Sequence, residues 1–238
     1  MSDWVAKRFW KEVSVADADG GYLVRLDARE LRAPGKTRLL LPSRALAERV
    51  ADEWRAQDEV IRADAMPITR IANSATEKVP GARSAVIESL TEFGTTDLLC
   101  YRAESPAELV ARQGAAWDPW LEWVVQAHGA ALRTTAGIMP VAQDQASIEA
   151  LARPVRALTN FELAAFHDLV HLSGSAVLAL AVEAGELHAQ RAWDLSRIDD
   201  EWQIEQWGLD PEAEEMARKK NAAFLLAEQF LSLVRTKP

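Results

Sequence analysis

The sequence predicts an α+β protein: a small N-terminal antiparallel sheet covered by one helix in two layers, followed by a larger all-helical part. Three observations predict it. Tyr22, Val24 and Leu26 recur at a period of two, the mark of a half-buried strand. Leu46, Val50 and Trp54 recur every four residues, on one helical face. From Met66 onward the hydrophobic period is helical throughout, with glycines at most segment boundaries.

In chain order, Phe9 to Val15 alternates imperfectly and reads as a first strand. Gly20-Gly21 turns the chain into the 22–26 strand. Asp27-Ala28 and Pro34-Gly35 are further turns, and Arg38 to Leu41 is a last extended run stopped by Pro42. Ser43 can cap the helix that follows. Pro67 suits the first turn of a helix carrying Ile68, Ile71, Ala72 and Ala75. Pro80-Gly81 is read as a break and as the linker between two domains, 1–79 and 80–238. Helices are predicted over 82–93, 106–128, 145–158, 160–172, 175–184, 189–207 and 211–234, with a short ribbon near 134–141 the only extended structure expected among them.

A length of 238 residues can bury a substantial core. The formal charge of −9, from 27 basic and 36 acidic side chains, argues against a general nucleic-acid binder, which needs clustered cations for phosphate. A single cysteine excludes an internal disulfide framework and favours a reducing compartment. The longest apolar run, Ala176 to Val182, is far below membrane-spanning length, so no membrane insertion is expected. Met1-Ser2-Asp3-Trp4 has neither the apolar core of a signal peptide nor an Arg/Ser-rich lead. The expectation is a protein that stays in the cytoplasm where it is made.

Catalytic signatures are scarce. There is no Gly-x-Gly-x-x-Gly, no Walker loop and no Gly-x-Ser-x-Gly elbow. Cys100, flanked by apolar residues with no histidine nearby, reads as a structural thiol. His167-Asp168-Leu169-Val170-His171 puts two histidines four apart on one helical face, as in zinc hydrolases. Aspartate stands there in place of the glutamate base, and no spacing singles out a third ligand among acids such as Glu183 and Glu186. A metal-dependent hydrolase using His167 and His171 is the alternative reading; paired histidines without metal are the plainer one. No cofactor is expected.

The tryptophans and the charge pattern say more. Nine Trp are present, and Trp117, Trp120 and Trp123 recur every three residues. They can wedge helices together or form a recognition surface. Between Asp194 and Glu215 there are nine acids and one base, Arg197, a balance of −8; residues 216–238 carry five bases and one acid. A solvated face explains acids in general. It does not explain why Trp202 and Trp207 are interleaved with them. Aromatic and acidic groups together suit a partner with a basic, apolar patch. On a helix, Leu195, Ile198 and Trp202 make an inward stripe with Glu201 and Glu205 at its border.

With these residues in view, the chain resembles the family of assembly chaperones of the F-type ATP synthase, from about Lys7 to Leu231. The matching blocks are Lys7-Arg8-Phe9-Trp10, Tyr22 to Leu26, Pro34-Gly35-Lys36-Thr37, Leu41-Pro42-Ser43, Glu53-Trp54-Arg55-Ala56-Gln57 and Met66-Pro67-Ile68-Thr69-Arg70 with Ala72-Asn73. The helical part adds Thr96 to Arg102, Trp117-Asp118-Pro119 and Glu201 to Gly208. Their order and combined coverage make the resemblance specific. It implies an α/β N-terminal domain joined to an orthogonal helical bundle, without catalysis or cofactor. It also implies a partner, the alpha subunit of the soluble catalytic sector, bound by a chaperone that is monomeric when free. The family's functionally important acid, just before the Trp-Gln-Ile block, aligns best with Glu201, next to Asp199 and Asp200. Partner contact is expected from Asp200, Glu201, Trp202, Glu205 and Trp207. Trp54 matches a recurrent family tryptophan that serves either contact or core. Mitochondrial relatives carry an added targeting stretch; without one, the resemblance points to a bacterial, cytoplasmic member.

Overall fold

A hairpin forms near the start of the sheet because Gly20-Gly21 lets the backbone reverse. β1 (Val13–Ala18) and β2 (Gly21–Leu26) pair antiparallel with Val13 opposite Leu26 and Val15 opposite Val24, and β3 (Arg29–Glu30) adds a short third strand to β2. The structure, a computed structural model, describes residues 7–137 and 139–236. The leader reading at Met1 to Trp4 therefore lies outside the described residues, as does Ile138 of the 134–141 stretch. The first strand starts at Val13, four residues later than the pattern's start at Phe9. Arg38 to Leu41 joins the sheet only through isolated bridges, Arg38 to Arg32 and Leu41 to Tyr22. Asp27 makes the β2–β3 turn with a positive φ of 53°, and its carboxylate accepts from the backbone N–H groups of Lys11 and Glu12 at 3.0 and 2.9 Å. Those two donors hold its pKa below the usual carboxylate value.

α1 (Arg44–Arg55) starts where expected: Ser43 accepts from the backbone N–H of Leu46 at 3.1 Å. Its buried face, Leu46, Ala47, Val50 and Ala51, packs on β1 and β2 and completes the two layers. α2 (Pro67–Glu77) has proline in its first turn and no cap of its own. Glu53 of α1 caps it from outside, accepting from the backbone N–H of Ile68 at 2.8 Å and from the N–H and hydroxyl of Thr69 at 2.7 Å each. The buried carboxylate thus satisfies donors that a helix start leaves open.

At Pro80-Gly81 the sequence reading is corrected. α3 (Val79–Glu92) runs straight through both residues, one residue after Lys78 ends α2. Proline in a helix's first turn removes only an N–H that has no partner there, so it starts this helix and does not break it.

The remaining elements are helical apart from one small ribbon. β4 (Tyr101–Arg102) precedes α4 (Ala107–His128), and β5 (Thr135–Ala136) pairs with it in parallel. Then follow α5 (Gln145–Ala157), α6 (Asn160–Ser173) and α7 (Ala176–Glu183). The predicted 189–207 helix is two: α8 (Ala189–Ser196) and α9 (Ile198–Trp207), parted at Arg197, which leaves helical geometry with φ −108° and ψ 8°. α10 (Pro211–Arg235) ends the described chain. No helix among the described residues is long and apolar enough to cross a membrane.

The chain divides into two compact units. One comprises residues 1–83, 159–165 and 229–238; the other comprises 84–158 and 166–228. Inside the first, Phe161 stacks on Phe230 with centroids 6.4 Å apart, Arg235 pairs with Glu162 at 2.7 Å, and the Ser43 hydroxyl donates to the Leu233 carbonyl. Inside the second, Trp117 is fully buried and its indole N–H donates to the Leu195 carbonyl at 2.8 Å. Asp97, also buried, accepts from the Ser175 hydroxyl and from the backbone N–H groups of Leu99 and Val177. Burial pushes its pKa up from 3.8 to about 6 against the pull of those donors.

Candidate functional site

α9 owes its position to α4. Gln113, buried on α4, accepts from the backbone N–H of Ala103 at 2.8 Å and donates to Asp199 at 2.6 Å, so one amide ties the segment after β4 to the start of α9. Asp199, Asp200 and Glu201 occupy the first turn, where the helix dipole favours acids. Asp200 pairs with Arg197 at 2.7 Å. Ile198 is buried and Trp202 half-buried, while Glu201 and Glu205 are exposed at the border of that stripe. Leu195 belongs to the end of α8, so the expected stripe spans the bend at Arg197.

Among the clefts that border α9, two carry the predicted Glu201, Trp202, Glu205 and Trp207. The first, about 590 Å³, has walls that include Tyr101, Pro106, Leu109, Gln113, Asp199, Trp202 and Trp207. The second, about 490 Å³, is lined by Arg112, Ala115 and Ala116 of α4, Arg191, Asp194 and Leu195 of α8, and Ile198, Glu201 and Glu205 of α9. Between them Arg112 reaches Glu205, both terminal nitrogens lying 2.9 Å from Oε1, with its guanidinium carbon 5.7 Å from the Trp202 ring centroid. Trp207 is 79% exposed at the helix end, and Leu209 and Met216 are also exposed just beyond it. The surface therefore offers apolar bodies and carboxylates side by side.

Five of the six site residues predicted from the sequence thus share one helix. Four of them border a cleft or the seam between the two: Glu201, Trp202, Glu205 and Trp207. Asp200 is already held by Arg197. Among the described residues the Glu201 side chain has no ion pair or hydrogen bond. The sixth, Trp54, lies in the first unit, packed on Trp10 with centroids 5.2 Å apart; both indole N–H groups are buried without a hydrogen-bond partner. Sequence reasoning missed Arg112 and Gln113. They lie 93 and 86 residues from the acids they contact, and no local pattern marks them.

His167 and His171 stack on each other at 3.9 Å, Phe93 packs edge-on against His171, and the Nδ1 of His171 faces the His167 carbonyl at 3.0 Å. Among the described residues no three metal-ligating side chains come together. Cys100 is buried, and burial pushes its thiol pKa up to about 12, which keeps it protonated and unreactive.

Comparison with known proteins gives the family. The family profile described as ATP12 chaperone protein matches residues 7–125. Atp12 from Paracoccus denitrificans superposes with a TM-score of 0.94 at 48% identity, covering 97% of this chain and 99% of that one. A mutant of the same Atp12p gives 0.94 at 47%, covering 97% and 98%. The mitochondrial protein atp12 of Schizosaccharomyces pombe is 27% identical, over 95% of this chain and 82% of its own length. These matches define an assembly chaperone. The chain belongs to the ATP12 chaperone family, whose members are ATP synthase assembly factors. Nothing in the comparisons points to a metal hydrolase.

Proposed function

We propose that this protein binds the unassembled alpha subunit of the ATP synthase catalytic sector, shields it from aggregation and releases it into the assembling ring. The reading is of a non-catalytic chaperone without cofactor, acting in a bacterial cytoplasm. The family match over residues 7–125, with the likeness to Atp12 over 97% of the chain, is the observation that carries it. The physical logic is direct. A subunit made before its ring neighbours exposes apolar surface that the ring will bury, and such surface aggregates. An acidic partner can cover it reversibly and add charge that keeps the pair soluble.

The α9 face, with Glu201, Trp202, Glu205 and Trp207, is proposed as the docking surface, Asp200 at its edge, and Trp54 as a second contact or a core support. The clefts and the exposed Trp207, with Leu209 and Met216 also exposed just beyond it in the chain, support α9, since tryptophan is enriched where partners bind. Affinity capture with the full chain from its native cytoplasm tests the proposal. The alpha subunit should be enriched over the beta subunit and should be lost when Glu201 is neutralised. Capture that recovers no alpha subunit would overturn it.

A further inference from the structure

Arg112 crosses from α4 to α9 at the seam between the two clefts, and its guanidinium rests where a carboxylate meets an aromatic face. That combination is chemically particular. A planar guanidinium can donate to a carboxylate while lying over an indole, which a compact ammonium does less well. We infer that Trp202 and Glu205 form a receptor for an arginine of the client, that Arg112 fills it in the free chaperone, and that the client's arginine takes Arg112's place. This rests on the alpha-subunit reading above and deepens it by naming the side chain recognised.

Three features support an exchangeable occupant over a structural tie. The Arg112 and Glu205 side chains are 42% and 47% exposed, so water competes for both and the pair is weak. α9 is also held to α4 by the Gln113–Asp199 bond, so the Arg112 link is not the sole polar tie between the two helices. Open space lies on both sides of the clasp, about 590 and 490 Å³, enough for an incoming side chain and the segment that bears it. The charge also fits, because residues 194–215 carry −8 and attract a basic segment.

The test is binding of purified alpha subunit to the full-length chaperone, wild type against variants, by titration at low and at physiological salt. Removing the resident competitor should tighten binding, so Arg112→Gln should lower Kd by up to about five-fold, the range of an exposed ion pair. Arg112→Lys, a gentler change, should tighten it less, and it carries the test if Arg112→Gln folds poorly. Glu205→Gln should weaken binding and abolish the gain from Arg112→Gln. Arg191→Gln removes a positive charge from the second cleft, where Arg191 pairs with no carboxylate among the described residues, and should give little or no tightening. Weaker or unchanged binding in both Arg112 variants would make Arg112 a structural tie and overturn the inference alone. Equal tightening by Arg191→Gln would reduce the effect to net charge and overturn it too. If the wild type fails to bind the alpha subunit, the client reading falls and takes this inference with it.

Discussion

Glu201 and Asp97 are both acids in matching family blocks, and their surroundings give them opposite work. Glu201 is exposed, next to a cleft and without a partner among the described residues, so its charge does little for the fold. Glu201→Gln keeps the shape. Stability from thermal melting should stay within about 0.5 kcal/mol, the usual range for a surface change. Alpha-subunit binding should fall by about 2–5 kcal/mol if the carboxylate forms a desolvated pair there, and wild-type binding should weaken with salt. Asp97 is fully buried, and its pKa rises from 3.8 to about 6 because burial disfavours the charge. The sign follows from proton uptake. Between about pH 4 and pH 6 the folded state binds a proton that the unfolded state does not, so this group's contribution to stability falls as pH rises through that window. Over two pKa units the change is about 3 kcal/mol at most. Asp97→Asn cannot titrate. Urea unfolding at pH 4.5, 5.5 and 7 should show wild type gaining on Asp97→Asn as pH falls, and a constant gap would refute the assignment.

Among the elements, Pro80-Gly81 gives the sharpest test. Gly81 lies in the first turns of α3 with nothing within 4 Å of where a Cβ would stand. Gly81→Ala should therefore stabilise the protein by about 0.5–1 kcal/mol through helix propensity, seen as a raised denaturant midpoint. In a flexible linker the same change would do nothing. The misreading has a physical cause: proline and glycine mean a break in a helix interior and a start in its first turn, and composition alone does not separate the two. Where the signal was local, the sequence was legible. Ser43, Pro67, Pro211 and the glycines after α4, α6, α7 and α9 placed most helix ends within a residue or two. The bend at Arg197 was not legible, because Asp194 to Trp207 keeps an apolar stripe across it. The candidate surface on α9 shows in the sequence only in part. Its acids and tryptophans stand out as a charged, aromatic run on one helix. The clefts that α4 builds beside them depend on contacts some 90 residues apart, such as Arg112 to Glu205, which no periodicity encodes.

At the scale of the molecule, the first unit closes on residues from far along the chain. Phe230 and Leu231 are buried, Leu233 accepts the Ser43 hydroxyl, and Arg235 pairs with Glu162. A chain cut after Glu228 loses all of these. Phe230 alone is worth about 3–5 kcal/mol, a large part of the roughly 5–15 kcal/mol that holds a domain folded. The truncated protein should lose hydrogen-exchange protection at the β2 amides of Leu23 and Val24, and retained protection would refute the dependence. The same closure sets a schedule for the newborn protein. Its sheet leaves the ribosome well before the residues that seal that unit, which follow after a wait on the order of ten seconds at ordinary elongation rates. During that interval the assembly chaperone is itself an unfinished chain with uncovered apolar surface, in the condition from which it is proposed to protect its client.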